Sequence, residues 1–330
     1  MKLSIIIPTF NRADSLQKTL QSFLDAKIPP NFGIAVTVIN NNSTDHTEKI
    51  FEEMKPHFDK FEFDYIFEEK QGRSFALNSG IKKADGDLIS AIDDDEEIEK
   101  NWFVEVEKIF RERWNEIDFV GGKLLPNWET APPVWVEPLK DGVICWRDYG
   151  DEEWIYGRET PMITGGHGIF KREVFADLGL YQENVGAAGK GFISGEDEIL
   201  YDQLLIYGKR GVYNPKLVIY HYVPAYRLDK NYYRKWLFGV GISRYLADTH
   251  YKPFAGAKLF GVPRWMYRKS LSKIVEKVKH AVRGDETNSL AAENEPLVFA
   301  GYFYGKHLQN GWLDKPLQNT VGKIFNSHQR

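Results

Sequence analysis

The first part of the chain repeats one pattern, in which a short apolar strand, a polar loop and an amphipathic helix follow one another. Apolar, β-branched runs predict strands at residues 2–7, 34–39, 61–67 and 87–92, the first of them ended by Pro8. Helical spacing predicts a helix capped by Asn11 and running to about Lys27, a second carrying residues 50–54, and a third ending near Lys83. Such alternation favours right-handed crossovers and a mostly parallel sheet. We therefore expect an α/β fold in which the polar loops share one crevice at the carboxyl edge of the sheet.

Three consecutive carboxylates, Asp93, Asp94 and Asp95, follow the fourth predicted strand. Adjacent like charges repel one another, and at the carboxyl end of a strand they would face the crevice. A bound divalent cation would keep all three ionised, so a metal beside a polyphosphate is one interpretation. An acidic turn in contact with solvent is the other.

The loops after the other strands offer groups suited to a nucleotide. Thr9 and Asn40 carry hydroxyl and amide groups for a ribose and a base edge. Arg73, with Arg12 as the second choice, provides a cation for phosphates. Asn-rich turns and single arginines more often serve loop geometry or solvent, so their place at successive strand ends is what gives them weight. The glycine-rich Gly-x-Gly-x-x-Gly loop is missing after the first strand, which disfavours a dinucleotide-dependent oxidoreductase.

After about residue 118 the pattern changes to short strands, Trp- and Pro-rich loops and glycine clusters. Helices are predicted at 196–207 and 229–247, with a strand at 217–222 between them. The chain from residue 252 onward has a helical and basic pattern, with a break at 284–295.

The formal net charge of −4 gives no global reason to expect nucleic acid as a partner. Positive charge is concentrated between residues 252 and 283, where nine Lys and Arg stand against Glu276, a local formal charge of +8. The single cysteine, Cys145, cannot form an internal disulfide, which fits a reducing compartment. The opening apolar stretch is shorter than a signal peptide needs, and no run reaches the roughly 18 apolar residues of a membrane span. We therefore expect a cytoplasmic protein that is soluble or peripheral at the inner face of the plasma membrane.

Five segments, in order over residues 3 to about 240, resemble motifs of the family 2 glycosyltransferases. Segments 4–12 and 38–45 resemble the first two strand-and-loop elements, and Ile92-Asp93-Asp94-Asp95 resembles the metal-binding DxD element. Segment 165–175, which starts with Gly165, Gly166 and His167, resembles the acceptor-side element, and Gly195-Glu196-Asp197 resembles the loop with the catalytic base. The resemblance implies a GT-A fold, with a Rossmann-like, mostly parallel sheet flanked by helices, here followed by a helical C-terminal appendage.

The resemblance also implies an inverting transfer of one sugar from a nucleotide diphosphate sugar, most often a UDP-sugar, to a glycan or lipid-linked acceptor. The implied cofactor is Mn²⁺ or Mg²⁺, held by Asp95 with Asp93 and His221, although a histidine at a strand end is often structural. Asp197 is the implied general base, with Glu196 as the alternative; outside the motif, both would be ordinary acids at a helix start. The residues implied in nucleotide-sugar binding are Pro8, Thr9, Asn11, Arg12, Asn40, Asn42, Arg73, Asp93 and Asp94.

Two positions depart from the family's pattern. Asn40 stands where the family usually has Asp, so a hydrogen bond accepted from the N3–H of uracil would lack charge assistance. Residues 232–236 are similar to the QxxRW element of processive polysaccharide synthases but lack its Gln and have Lys235 for its Arg, which favours single-sugar addition. A nucleotidyltransferase and a binding protein for nucleotide sugars or glycans that has lost catalysis are the alternatives, and the intact carboxylates favour activity.

The expected organisation is a GT-A catalytic domain over residues 1–225 and a helical basic region over 226–330. Within the catalytic domain, residues 1–118 form the nucleotide-binding half and 119–225 the acceptor-binding half. The basic stretch 252–283 has apolar residues on one helical face, which suits either docking on the catalytic domain or contact with an anionic membrane surface.

Overall fold

The computed structural model describes residues 1–139, 143–163, 165–183, 195–250 and 254–308. The predicted alternation of strands and helices in the first part is confirmed. Its elements are β1 (Lys2–Thr9), α1 (Ala13–Asp25), β2 (Gly33–Asn40), α2 (Thr47–Met54), β3 (Glu62–Phe67), α3 (Arg73–Lys83) and β4 (Leu88–Ala91). A single 3-10 turn, Lys55–His57, extends α2.

The middle of the chain alternates less regularly and contributes the remaining strands of the main sheet. Its elements are β5 (Glu96–Ile98), α4 (Trp102–Arg113), β6 (Phe119–Trp128), β7 (Trp154–Ile155), β8 (Ile169–Lys171), α5 (Arg172–Leu178), α6 (Glu196–Ile206) and β9 (Gly211–Val223). Short 3-10 turns lie at Glu137–Leu139 and Gly165–His167. The helix predicted at 196–207 is confirmed as α6, whereas β9 is longer than the predicted strand at 217–222.

The last part is helical, as expected. After a 3-10 turn at Ala225–Leu228 it contains α7 (Lys230–His250), the small hairpin of β10 (Lys258–Leu259) and β11 (Val262–Pro263), then α8 (Arg264–Val282), α9 (Glu286–Ala291) and α10 (Asn294–Leu308). The predicted break at 284–295 is wrong, because α9 lies inside it. The Asp285 side chain accepts a hydrogen bond from the Asn288 backbone N–H and caps this short helix.

The polar loops of the first part meet at one edge of the sheet because β1 lies between β2 and β4. The strand order is β3-β2-β1-β4-β8-β6-β9-β5, with β7 beside β9. The first four strands are parallel, as is the long β6–β9 pair, while β8, β5 and β7 run antiparallel to their neighbours. The register sets Thr9 beside Asn40 and Ile6 beside Ala91. The loops that follow β1, β2 and β4 therefore start next to one another.

The first strand continues through Pro8 to Thr9, although the sequence predicted that Pro8 ends it. Pro8 lies beside Ile39 of β2, while the pairing of β1 with β4 ends at Ile6. A proline in a strand is tolerated where its missing N–H has no ladder partner to lose. At the level of Pro8, β4 no longer pairs with β1, so the missing N–H of Pro8 costs no hydrogen bond to β4.

The first helix starts one residue later than predicted, and its cap comes from a distant loop. Asn11 has a left-handed backbone with φ of 53°, so it lies outside α1. Asp45, in the loop after β2, accepts a hydrogen bond from the Ala13 backbone N–H (3.0 Å) and another from the Thr47 backbone N–H (3.1 Å). One carboxylate thus satisfies the amino ends of α1 and α2 and ties the two loops together.

The sheet is covered on both faces, as the alternation of side chains along β1 shows. Leu3, Ile5 and Ile7 point into one hydrophobic layer with α1, α2 and α4, whereas Ile6 points into the opposite layer with α3, α5 and α6. All of these β1 side chains are buried. Burial on both faces explains why β1 is a nearly continuous apolar run.

The described residues form two compact units. The first takes in residues 1–129, 145–163, 165–183 and 196–223, and so contains the main sheet. The second contains 224–250 and 254–308 with the short segments 130–139 and 143–144 and Gly195. Inside the second unit α7 and α10 pack closely, since a Cβ added at Gly301 would lie 1.9 Å from the carbonyl oxygen of Phe238. In the described part of the chain, no helix combines the length and the apolar composition needed to cross a membrane.

Candidate active site

The three aspartates after β4 lie beside two arginines. Arg12 Nη1 is 3.0 Å from Asp94 Oδ1 and 2.8 Å from Asp95 Oδ2. Burial raises the pKa of Asp94 to about 6, although Arg12 acts in the opposite direction. From the sequence, we expected a bound cation to offset the repulsion among the three aspartates. In the structure, the guanidinium of Arg12, from the loop after β1, offsets part of that repulsion.

Arg73, the first residue of α3, joins the aspartate loop to the start of α6. Its Nη2 is 3.0 Å from Asp93 Oδ1, and its Nη1 is 3.2 Å from Glu196 Oε1 and 3.3 Å from Asp197 Oδ1. Burial disfavours the charged form of Arg73, but Asp93, Asp197 and Glu196 outweigh it and raise its pKa well above the ordinary value. One permanently charged group therefore holds carboxylates that are more than 100 positions apart in the sequence.

Glu96 is a fourth acid of this cluster that the sequence analysis did not single out. It is buried, and its Oε2 accepts a hydrogen bond from the Asp93 backbone N–H (2.9 Å). Burial raises its pKa well above the usual range, and the neighbouring charges of Asp93 and Asp95 add to that shift. Glu96 thus fixes the backbone of the aspartate loop. In the sequence, the only feature that pointed to Glu96 was its position directly after the three aspartates.

Gly166 packs directly against that buried carboxyl group. A Cβ added at Gly166 would lie 2.5 Å from Glu96 Oε1. Of the acceptor-side residues predicted from the sequence, Gly166 is therefore the one that the structure brings to the aspartate loop. Gly165 lies in the same 3-10 turn, Gly165–His167.

We expect the Gly166→Ala variant to lose about 1 to 3 kcal/mol of unfolding free energy, because a methyl group has no room beside the buried Glu96 carboxyl. UDP affinity should fall with it, since the aspartate loop depends on Glu96. Urea unfolding and calorimetry measure the two effects. Gly157→Ala is the matched control, because a Cβ at Gly157 meets no atom within 4 Å. Equal stability of the two variants would contradict the expectation.

Asn40 and Asn11 hold the shape of the loops after β2 and β1. Asn40 Nδ2 donates to Tyr65 Oη (2.7 Å), and its Oδ1 accepts from the Ser43 backbone N–H (2.8 Å). Asn11 Oδ1 accepts from the Thr44 backbone N–H (2.7 Å). Asn42 contributes a left-handed backbone, with φ of 64°, to the loop after β2. The predicted role of Asn40 toward uracil stays a prediction, and its oxygen would need its second lone pair for it.

Asn41 is a positioning residue that the sequence analysis missed. It is buried, its Oδ1 accepts from the Gly72 backbone N–H (2.7 Å), and its Nδ2 donates to the Lys70 carbonyl (2.7 Å). It therefore connects the loop after β2 to the segment that leads into Arg73. The Asn-rich run at 40–42 was visible in the sequence, but nothing there distinguished Asn41 from its neighbours.

The two histidines predicted for the site lie in different surroundings. His221, on β9, has its Nε2 3.6 Å from Asp95 Oδ2, and both side chains are almost completely buried. His167 is fully buried, and its Nε2 accepts from Trp102 Nε1 (3.3 Å). Burial lowers the pKa of His167 to about 3, so this ring stays neutral. The structure therefore brings His221 to the aspartates and leaves His167 in the core.

Thr9 and Pro8 end β1 next to this cluster, and both are buried. The structure thus gathers Arg12, Arg73, the three aspartates and His221 at the carboxyl edge of the sheet, with Glu196 and Asp197 reached through Arg73. Within the described residues, no group of three or more His, Cys, Asp or Glu side chains has the arrangement that holds a metal ion. The arrangement offers paired carboxylates and one imidazole, groups that suit a cation, together with two fixed positive charges, which suit an anionic group.

Comparison with known proteins identifies the family. The family model described as glycosyl transferase family 2 matches residues 4–179, more than half of the chain. A glucosyl-dolichyl phosphate glucuronosyltransferase from Haloferax volcanii is 24% identical over 325 residues, which cover 92% of this chain and 96% of the relative. A dolichyl N-acetylglucosaminyl phosphate diacetamido-glucuronosyltransferase from Methanococcus voltae is 25% identical over 235 residues, covering 67% of this chain and 66% of the relative.

A solved structure shares the fold at lower sequence identity. The mannosyltransferase PcManGT from Pyrobaculum calidifontis, solved with GDP-Man and Mn²⁺, superposes with a TM-score of 0.55 at 16% identity, over 97% of this chain and 78% of that protein. The architecture predicted from the sequence, a mostly parallel GT-A sheet flanked by helices, is confirmed. On the extent of the family match, this chain belongs to glycosyl transferase family 2 and is a glycosyltransferase.

Proposed function

We propose that this enzyme transfers one sugar, with inversion, from a UDP-sugar to a lipid-linked or glycan acceptor, with the help of a divalent cation. The observation that carries the proposal is the position of Arg73, which is bonded to Asp93 on one side and to Glu196 and Asp197 on the other. A donor diphosphate beside the aspartates would therefore lie within reach of a carboxylate able to act as a base. All of these groups belong to residues 1–225, the proposed catalytic domain.

Asp197 is the better candidate for the general base of the two acids on α6. Its side chain is 27% exposed, whereas that of Glu196 is 5% exposed. An acceptor hydroxyl must approach its base to within hydrogen-bond distance, and only Asp197 presents a surface for that approach. Glu196 is suited to a different task, which is to hold Arg73 in place from the buried side.

The contacts of Arg73 also give a reason for the donor to bind before the base can act on the acceptor. As long as Arg73 is bonded to Asp197, the guanidinium occupies a carboxylate oxygen that would otherwise be open to the acceptor hydroxyl. A diphosphate is a stronger partner for a guanidinium than one carboxylate, so donor binding draws Arg73 toward the phosphates. The base would then be released when the donor is in place.

The proposed step follows from these positions. An Asp197 carboxylate oxygen accepts the proton of the acceptor hydroxyl, and the acceptor oxygen attacks the anomeric carbon. The bond between that carbon and the donor phosphate oxygen breaks, and its electron pair leaves with the nucleoside diphosphate. Attack on the face opposite the leaving group inverts the configuration at the anomeric carbon. In this proposal, Arg12 and Arg73 stabilise the charge on the departing diphosphate.

The donor set around Asp95 is compatible with Mn²⁺ or Mg²⁺. Asp95 offers a carboxylate and His221 an imidazole nitrogen 3.6 Å from it, with Asp93 nearby in the same loop. Such cations are often bound by one or two carboxylates together with substrate phosphates, so a complete protein cage is not required. A cation bound there would neutralise charge on the leaving diphosphate.

The names of two relatives support the acceptor part of the proposal. The Haloferax protein is named for a glucosyl-dolichyl phosphate, and the Methanococcus protein for a dolichyl N-acetylglucosaminyl phosphate. Both names describe sugars attached to a lipid phosphate. A lipid-linked acceptor in this enzyme would require the reaction to occur at a membrane surface, which fits a cytoplasmic enzyme with a peripheral position.

A thermal-shift screen of nucleoside diphosphates, with and without Mn²⁺, tests the donor. We expect UDP with Mn²⁺ to raise the melting temperature most, because the proposed donor is a UDP-sugar assisted by a divalent cation. A ligand at 100 times its dissociation constant adds about 2.7 kcal/mol of stability. ADP, CDP and GDP serve as matched ligands. A larger shift with GDP would overturn the uridine assignment, since Asn40 would then read another base. The absence of a shift with every nucleotide would contradict the proposed donor class.

A further inference from the structure

From Leu271 onward, α8 exposes an apolar face that no other part of the described chain covers. Its members are exposed by 45% to 83% and are Leu271, Ile274, Val275, Val278 and Val282. Their spacing of three, four, seven and eleven positions from Leu271 places them on one side of a helix. A contiguous apolar stripe of this kind on a surface marks an interaction site. We refer to these five residues as the α8 stripe.

Other sides of α8 are held within the second unit. Met266 and Ser270 are buried, and the helix packs against α9 and α10. Lys269 Nζ is 2.6 Å from a Glu295 carboxylate oxygen, and Lys277 Nζ is 3.0 Å from one of Glu293. These contacts orient α8 about its own axis, and they leave the α8 stripe turned away from its partners.

A row of exposed cations borders the α8 stripe on one side. At 100° per residue, they fall between about 20° and 120° from the centre of the stripe. Its members are Arg264, Arg268, Lys279 and Arg283. Within the described residues, no carboxylate lies within 4.0 Å of their charged nitrogens. The surface is therefore apolar along its centre and positively charged along its edge.

We propose that the α8 stripe and its basic edge dock on an anionic lipid bilayer, with the apolar side chains at the level of the acyl boundary and the cations among the phosphates. Amphipathic helices with aliphatic residues on one face and Lys or Arg beside it bind membrane surfaces in this way. Cations near an anionic leaflet add to the attraction. The described structure supports this second interpretation of the basic stretch, although residues 252–253 lie outside the described residues.

Charge decides between a bilayer and a second copy of this chain. If two copies packed stripe to stripe with antiparallel helices, the cation row of one would lie beside the cation row of the other, which is unfavourable. With parallel helices the two rows would lie on opposite sides of the contact, and the stripe of the other copy would offer them no opposite charge. Anionic headgroups have the opposite charge and follow the row along its length. The inference rests on the proposed function only in that a lipid-linked acceptor gives membrane docking a purpose, because vesicle binding is measured without any substrate.

Sedimentation of the full chain with vesicles tests the proposal. Vesicles of phosphatidylcholine alone are compared with vesicles that also contain phosphatidylglycerol, at low and high salt. We expect binding to the anionic vesicles that weakens as salt rises, since screening shortens the reach of the cations. Equal recovery with neutral and anionic vesicles at low salt would overturn the proposal.

Two groups of variants separate the contributions of charge and apolar contact. The charge variant combines Arg268→Gln, Lys279→Gln and Arg283→Gln, and we expect its partition to anionic vesicles to fall about 100-fold, or about fivefold for each residue. Its control removes three exposed lysines elsewhere and combines Lys49→Gln, Lys60→Gln and Lys82→Gln. A loss of equal size in the control would mean that net charge alone drives binding, and would overturn the assignment to α8.

The apolar variant combines Leu271→Ser, Val275→Ser and Val278→Ser, all at exposed positions. We expect at least a tenfold loss of partition, whereas Ile155→Ser, which is 68% exposed on β7, should bind as the wild type does. Light scattering completes the test. If the wild type is a dimer that the apolar variant turns into a monomer, and neither binds vesicles, the stripe is a self-association surface and the proposal fails.

Discussion

Replacing Asp197 with Asn is expected to reduce turnover by about 100-fold or more while UDP affinity stays near that of the wild type. The amide keeps the size of the carboxylate but cannot take the proton of the acceptor hydroxyl, and general base catalysis contributes roughly 100- to 10,000-fold. An effect on turnover without an effect on donor binding identifies a group that acts in the transition state. Asp197 is the more exposed of the two α6 acids that contact Arg73, which is why it is the residue to test.

The measurement needs a working acceptor or, failing that, the slow hydrolysis of the donor by water. Glu196→Gln is the matched control, because Glu196 binds the same Arg73 nitrogen but is buried. It should lower UDP affinity or stability through Arg73 and should be milder in turnover. If Glu196→Gln is inactive and Asp197→Asn turns over like the wild type, the base is Glu196. If neither substitution changes turnover, the proposed base is wrong.

Hydrophobic periodicity was sufficient for the first four strands and the helices between them. Strands β1, β2 and β4 are mostly apolar runs that are buried, whereas β3, at the edge of the sheet, alternates exposed residues with partly buried ones. Periodicity was not sufficient for β5, whose three residues include Glu96 and Glu97. That strand exists because it pairs with β9, where Glu96 lies beside His221. Pairing with a strand more than 100 residues away leaves no trace in a local pattern, so tertiary contacts decide such elements.

The location of the candidate site could be predicted from the sequence, but the contacts inside it could not. Parallel strands that end at one sheet edge bring the loops at Thr9, Asn40 and Asp93 together whatever their side chains do, so the location of the crevice followed from the fold. The pairing inside it did not, because Arg73 meets Glu196 and Asp197 only after the chain between them has folded. Buried residues such as Asn41 and Glu96 act through backbone groups, which the identity of a side chain does not reveal.

The second large predicted effect is on the linked binding of metal and nucleotide, and it follows from the contacts of Arg12. Arg12 binds Asp94 and Asp95 with one nitrogen, so Asp95 faces two competing cations once a divalent metal is present. A divalent ion attracts a carboxylate more strongly than a guanidinium does, and the donor diphosphate offers Arg12 a new partner. Metal and nucleotide should therefore bind together, each favouring the other, and we expect Asp95 to link the two.

Replacing Asp95 with Asn should abolish the gain in UDP affinity that Mn²⁺ provides, a loss on the order of 100-fold, while UDP binding without metal changes little. The physical reason is that the amide keeps the shape of the side chain but removes the charged ligand oxygen that lies 3.6 Å from His221 Nε2. Calorimetry of UDP with and without Mn²⁺ measures the effect. Asp64→Asn on β3 is the control, because its carboxylate is exposed and pairs only weakly with Lys83 at 3.8 Å. If Mn²⁺ strengthens UDP binding equally in both variants, Asp95 is not the link between metal and donor, and the metal assignment falls.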